Sequence, residues 1–230
     1  MLTLKDIMQA GRSDATQHPI SFASDELPTV PMIDWTVVNL ITPNLETGPW
    51  IAGGAPLRWF QGLPMEKGDI DVWCASDEQY AWLTKKIKDY GANERIDTKN
   101  AVTYSWSFLN IDEPTATKEF KIQLCKQQFD SAEQLISCFD FSVCQIATDG
   151  DRFVVGEMTV PDIASKTLRI VSKRPDLLKR IVKYSAYGYT LPAAEFNEYL
   201  ESDGVVWNAE SDDYDSVVLT DPAKQVAEEF

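Results

Sequence analysis

Between Trp50 and Trp73 the chain passes through Trp-Ile-Ala, a Gly53-Gly54 pair, a short segment containing Arg58 and Gly62, and then Asp69-Ile70-Asp71 followed by Val-Trp-Cys. The pattern predicts two strands joined through a glycine turn, with acids on the second strand. Residues i and i+2 of a strand project from one face, so Asp69 and Asp71 stand together and can hold a hard divalent cation. Glycines let a backbone approach a phosphate and leave amide groups open at a helix start. Paired ions in phosphoryl transfer activate the attacking oxygen and stabilise the leaving one, and Mg²⁺ favours carboxylates combined with substrate phosphates. The combination outlines a nucleoside triphosphate site. The plainer alternatives are a tight turn at Gly53-Gly54 and solvated acids on a surface strand.

Composition narrows the chemistry further. The 230 residues contain one histidine, His18, and four cysteines, Cys74, Cys125, Cys138 and Cys144, with no CxxC among them. Ser-His-Asp and Cys-His mechanisms need a positioned imidazole, and zinc sites need denser ligands, so chemistry by carboxylates remains and the thiols read as reduced and structural. Lys plus Arg number 21 against 36 Asp plus Glu, a formal charge of −15. Such a surface repels phosphate backbones and disfavours tight nonspecific nucleic-acid binding. No apolar run is long enough for a membrane span, and Met1 to Arg12 lack a secretory pattern. The expected location is the cytoplasm, with no membrane partner.

Along the chain, residues 1–30 read as an N-terminal arm, with an amphipathic Leu2 to Ala10 followed by a polar stretch. Residues 31–156 read as a mixed α/β block. Its expected strands are Trp50-Ile-Ala, Asp69 to Cys74, Ala101 to Leu109, Glu119 to Cys125, Phe139 to Ala147 and Arg152 to Val155, the last two around an Asp149-Gly150 turn. A helix is expected over Asp77 to Tyr90, with Tyr80, Leu83, Ile87 and Tyr90 at helical spacing, and Asp130-Ser-Ala-Glu133 reads as a capping box before a short helix. Residues 157–205 read as a helical appendage of three segments, Pro161 to Val171, Pro175 to Tyr187 and Pro192 to Glu201, each opened by proline. Residues 206–230 read as an acidic tail, with seven acids from Glu210 onward against Lys224 alone.

Gly53, Gly54, Arg58, Gly62, Asp69 and Asp71 together resemble the glycine motif and Asp-x-Asp of the nucleotidyltransferase superfamily, polymerase β-like proteins, and within it the head domain of tRNA CCA-adding enzymes and bacterial poly(A) polymerases. Phe139-Asp-Phe-Ser-Val-Cys-Gln-Ile-Ala147 resembles that family's Arg-Asp-Phe-Thr-x-Asn-Ala motif, and Thr103 sits where the family has a strand entering the site. Arg174 to Lys183 is similar to the helix that reads the incoming base. The resemblance covers roughly residues 48 to 190. It implies an α/β (α+β) nucleotidyltransferase-like head with a mixed sheet, followed by a small helical appendage. It also implies catalytic roles for Asp69, Asp71 and Asp140, Mg²⁺ or Mn²⁺ held by Asp69 and Asp71, and nucleotide contacts from Gly53, Gly54, Arg58, Arg180 and Lys183.

This sequence departs from the family at several points. Trp59 replaces the acid after the arginine, Phe139 replaces an arginine, Asp176 is one residue out of register, and the third acid falls near Lys121, with Glu119 two residues earlier. Asp140 reads equally as a structural cap, and Arg58, Arg180 and Lys183 read also as solvated helix charges. Trp59, Trp73, Trp82, Trp106, Tyr184, Tyr187 and Tyr189 read as packing. The expected activity is transfer of a nucleoside monophosphate from an NTP to an acceptor hydroxyl of RNA, protein or a small molecule, with release of pyrophosphate. The alternative is a catalytically degenerate binding protein that engages a basic protein partner through its acidic surface.

Overall fold

The computed structural model of the chain describes residues 20–23, 35–61, 63, 68–109, 117–173, 176–202, 205–206 and 218–219. Eight strands form one mixed sheet. From one edge to the other they are β1 (Ile20–Ala23), β8 (Arg152–Val155), β7 (Ile146–Thr148), β2 (Trp50–Ala52), β3 (Ile70–Cys74), β6 (Thr117–Gln128), β5 (Ala101–Leu109) and β4 (Asn93–Asp97). Neighbours pair antiparallel except β3 and β6, which run parallel with Asp71 beside Gln123. The sheet is therefore the α+β mixed sheet that the resemblance implies.

The centre of the sheet follows from alternation. Ile70, Val72 and Cys74 of β3 are wholly buried, whereas Asp71 and Trp73 face the other way. Helix α1 (Trp35–Ile41) and helix α3 (Asp77–Asp89) supply Val37, Ile41, Leu83 and Ile87 to the same hydrophobic cluster. Ser76 caps α3 by accepting the Gln79 N–H at 3.2 Å, and acids in the first turn with lysines in the last complement the helix dipole. The buried stripe of α3 is Leu83 and Ile87; Tyr90, expected on it, is the C-cap and 58% exposed. Helix α2 (Gly54–Phe60) follows β2 and buries Leu57 and Trp59, with the Trp59 and Phe153 ring centres 4.6 Å apart.

Several elements differ from expectation, each for a local reason. Helix α4 (Ala132–Ser137) is capped by Ser131, not Asp130, since Ser131 accepts the Gln134 N–H and Gln134 Oε1 accepts the Asp130 N–H. Of the strand expected over Phe139 to Ala147, only β7 forms; Ser142–Cys144 is a 3-10 turn. Its polar groups are drawn to the next helix, α5 (Thr159–Ser165), where Thr159 Oγ1 donates to the carbonyls of Ser142 and Gln145, and Ser142 Oγ donates to Asp162. Helix α5 stops early at Lys166, which adopts φ 57°. Strand β4 and helix α1 were not expected; β4 is exposed throughout, so it carries no apolar period.

Helices α6 (Leu177–Ala186) and α7 (Ala193–Ser202) occupy the second and third expected segments; α6 opens at Leu177 behind Asp176, Pro175 lies outside the described residues, and α7 opens directly after Pro192. Leu177, Ile181 and Tyr184 of α6 join the cluster that fills the sheet, as do Val160, Ile163 and Leu168. Residues 20–23, within the expected arm, form an edge strand; Val218–Leu219, within the expected tail, pairs antiparallel with Val205–Val206. The remainder of arm and tail, including Leu2 to Ala10 and the acids from Glu210 on, lies outside the described residues, as does Gly62. None of the four cysteines is joined in a disulfide; Cys74, Cys125 and Cys144 are buried and Cys138 is exposed. No described helix is long and apolar enough to cross a membrane.

Helices α5, α6 and α7 have 7, 10 and 10 residues. Isolated helices of that length are marginal in water, and their apolar side chains are completed by the sheet. A fragment spanning residues 161–202 is expected to be largely unfolded by circular dichroism. A cooperative melt would mark the segment as an independent domain.

Candidate functional site

Strand β2 is followed by Gly53, whose φ of 80° is one that side-chain-bearing residues rarely adopt. A Cβ there would also lie 2.9 Å from the Phe139 ring and 3.9 Å from Asp71 Oδ2. Glycine is thus required twice, by dihedral and by contact. The Gly53 N–H is committed to the Ile146 carbonyl at 2.9 Å, so of the pair only Gly54 can offer an amide to a ligand.

The next strand brings its acids to the mouth of this turn. Asp69 is exposed and Asp71 is half-buried. Asp71 Oδ1 is inaccessible to solvent and has no hydrogen-bond partner among the described residues. Burial, followed by the Asp69 charge, pushes the Asp71 carboxyl up to about 6, against the opposing pull of Arg58, Lys183 and Arg180. A buried oxygen without a partner is costly, and a cation shared with Asp69 would satisfy it. Two carboxylates at i and i+2 form a donor set that fits Mg²⁺ or Mn²⁺, which needs one or two such ligands when phosphate oxygens complete the shell.

Arg58 flanks the pair from α2. Its Nη2 donates to the Asp69 carbonyl at 2.7 Å, and a Cβ on Gly68 would come within 2.8 Å of Nη1. Burial lowers the Arg58 pKa and Asp71 opposes that shift. Arg58 is therefore anchored to the loop before β3 while its charge lies near Asp71.

The third wall is α6. Leu177, Ile181 and Tyr184 face the core, which leaves Arg180 and Lys183 on the cavity side. Arg180 is held by Asp140 through two hydrogen bonds, Nη2 to Oδ1 at 3.0 Å and Nε to Oδ2. Burial alone would lower the Arg180 pKa, but the Asp140 hydrogen bonds and charge outweigh it and raise it. Asp140 itself is fully buried, also accepts the Phe141 N–H at 3.1 Å, and does not line the cavity.

Gly53, Gly54, Arg58, Asp69, Asp71, Arg180 and Lys183 therefore surround one cavity of about 410 Å³, and Asp140 stands behind it. Trp73 and Gln123 line the same cavity. Trp73 was legible as the next residue in the Asp-x-Asp-x alternation; Gln123 was not, because only the parallel register of β3 and β6 places it beside Asp71. That register also relocates the position of a third acid: Lys121 is exposed opposite Ser105, and the residue next to Asp71 is an amide. No cluster of three or more Asp, Glu, His or Cys suited to a metal exists among the described residues. Tyr184 packs against Phe141 and Tyr189 as expected and also reaches the cavity, whereas Tyr187, expected to pack, is 61% exposed on the cavity lining.

A family model described as "Gad2: Gabija anti-defense 2 family protein" matches residues 31–166. No curated protein matches the chain. Among solved structures, the fold is similar to the Thermotoga maritima CCA-adding enzyme complexed with tRNA_CCA, at 15% identity and a TM-score of 0.53, covering 81% of this chain and 46% of that one. It is also similar to a CCA-adding enzyme in complex with CTP, at 14% identity and a TM-score of 0.54, covering 76% and 43%. The same holds for one in complex with ATP, at 13% identity and a TM-score of 0.53, covering 80% and 46%. The chain thus spans less than half the length of these structures, and at such identity the likeness is one of fold.

The desolvated Asp71 has a consequence for stability. An acid whose carboxyl titrates near 6 rather than 3.8 keeps its proton longer folded than unfolded, so stability falls as pH rises through that window. Above it the penalty is complete, at most about 3 kcal/mol. Asp71→Asn is expected to raise the melting temperature at about pH 7.5 in the presence of a chelator, with the gain gone at about pH 4. Equal melting temperatures at the higher pH would refute the desolvation account.

Proposed function

The chain belongs to the Gabija anti-defense 2 family, and on that premise we propose that it counters the defence as a metal-dependent nucleotidyltransferase. The reaction moves a nucleoside monophosphate from an NTP to an acceptor hydroxyl and releases pyrophosphate. The observation that carries this reading is Asp71, with one buried and unpartnered carboxylate oxygen, set with Asp69 in the lining of the cavity at the Gly53-Gly54 turn. The CTP and ATP complexes of the structurally similar CCA-adding enzymes lend support to an NTP as the ligand class.

In this reading Asp69 and Asp71 hold the divalent cation, which when bound stabilises the charge that develops on the phosphates. The turn at Gly53 has no side chain to keep phosphates away, and Gly54 offers its amide. Arg58 from α2 and Lys183 from α6 place positive charge in the cavity lining. Arg180, fixed by Asp140, presents its remaining N–H groups to the nucleotide, so Asp140 is a positioning residue and not a group that touches the reacting atoms.

One observation favours a second reading. The residue beside Asp71 on the parallel strand is Gln123, and an amide neither acts as a base near neutral pH nor adds negative charge to a metal site. A site of this kind can bind Mg²⁺ and NTP without turning over, leaving a binding protein that acts through its surface on a basic partner.

Asp69→Asn and Asp71→Asn are each expected to lower nucleotidyl transfer by about a thousandfold or more, because loss of a metal ligand removes several kcal/mol of transition-state stabilisation. Radiolabelled NTPs presented with RNA and protein acceptors measure the transfer. Wild-type turnover in either variant would remove the metal assignment. Mg²⁺ with NTP is expected to raise the wild-type melting temperature, since a ligand that binds only the folded state stabilises it; stabilisation without any transfer would select the second reading.

A further inference from the structure

A second cavity, of about 550 Å³, adjoins the first and shares Asp69 and Gln123 with it. We propose that this cavity seats a segment of an acceptor protein and presents its Ser, Thr or Tyr hydroxyl to the nucleotide, an inference that rests on the nucleotidyl-transfer reading. Asp69, at the junction of the two spaces, is where acceptor and nucleotide would meet.

The lining argues for the class of acceptor. The floor is one face of β5 and β6, where Thr103 stands opposite Gln123 and Ser105 opposite Lys121. Two cations, Arg95 and Lys121, are balanced by two acids, Asp69 and Glu119. Nearby lysines are already engaged, Lys126 with Asp97 at 2.6 Å and Lys88 with Glu94 at 3.0 Å. An RNA strand draws its affinity from uncompensated cations along its phosphates, and a balanced cleft on a chain of net charge −15 supplies few. A polypeptide is suited to such a surface, since it offers amides, hydroxyls and charges of both signs.

The geometry of the sheet adds a second argument. Among the described residues strand β4 is the last in the order and no strand pairs beyond it, and Ile96 of β4 is 58% exposed at the rim of the cavity. An extended segment can take main-chain hydrogen bonds from such an edge and a side-chain contact from Ile96. Glu94, Arg95 and Asp97 on the same strand discourage indiscriminate pairing, which makes docking selective for sequence.

The step balances without a further reactant. The acceptor oxygen bonds to the α-phosphorus, the bond from that phosphorus to the oxygen bridging to the β-phosphorus breaks, and pyrophosphate leaves with the electron pair. The hydroxyl proton passes to water at the open Asp69 side. The product is a protein carrying a nucleoside monophosphate in phosphodiester linkage.

The test incubates the full-length protein with Mg²⁺ and each α-³²P-labelled NTP, together with either purified Gabija proteins or total bacterial RNA. Protease-sensitive label on a Gabija protein is expected. Ile96→Asp and Arg95→Glu, both at exposed positions on β4 that do not line the nucleotide cavity, are expected to reduce it at least tenfold while the NTP-induced rise in melting temperature stays unchanged. Label on RNA, label on neither acceptor, or protein label equal in the variants would overturn the cleft assignment. Loss of the NTP-induced rise in the wild-type protein would overturn the nucleotidyl-transfer reading, and this inference with it.

Discussion

Desolvation of one carboxylate on a central strand organises the surrounding structure. Asp71 sits on β3 between neighbours on both sides, with Ile70, Val72 and Cys74 sealed against helices on the opposite face. A charge in that position is tolerated only where other charges converge on it. Arg58 arrives from α2, Lys183 and Arg180 from α6, and each lowers the Asp71 pKa against the larger effect of burial. Helices α2 and α6 are thus coupled electrostatically to one side chain.

The Asp140–Arg180 pair shows how a motif residue can matter without meeting the ligand. Asp140 lies in an irregular stretch whose carbonyl accepts the N–H groups of Val171 and Ser172, at 2.7 and 3.2 Å. Its carboxylate fixes Arg180, whose guanidinium is 6.0 and 5.8 Å from the ring centres of Phe141 and Tyr184. One buried residue therefore ties the segment after α5 to the irregular stretch before β7 and sets the orientation of a cavity cation. Removing one partner of such a pair leaves the other charge uncompensated, which is the costly outcome.

What the sequence made legible was whatever depends on short-range pattern. The alternation through Asp69, Asp71 and Trp73, the helical spacing of Leu83 and Ile87, and the Asp149-Gly150 turn all repeat within a few residues. Strand β4 offered no signal because every residue in it is exposed, and the segment Phe139 to Gln145 misled because its apolar residues are buried by tertiary contacts instead of a ladder. Gln123 belongs to a third class. Its place beside Asp71 is set by a register between strands some fifty residues apart, and no local pattern encodes that offset.

The distribution of thiols gives the protein a built-in spectroscopic handle. Burial pushes Cys74 and Cys144 up to about 12 and raises Cys125 as well, so their thiolate fraction at neutral pH is negligible. Cys138 alone is exposed, and it immediately precedes Phe139, the ring that fills the space over Gly53. A maleimide fluorophore would attach at this single position without any prior removal of cysteines. Its emission would report the environment of the Phe139 segment as ligands enter or leave, on the unmutated chain and in real time.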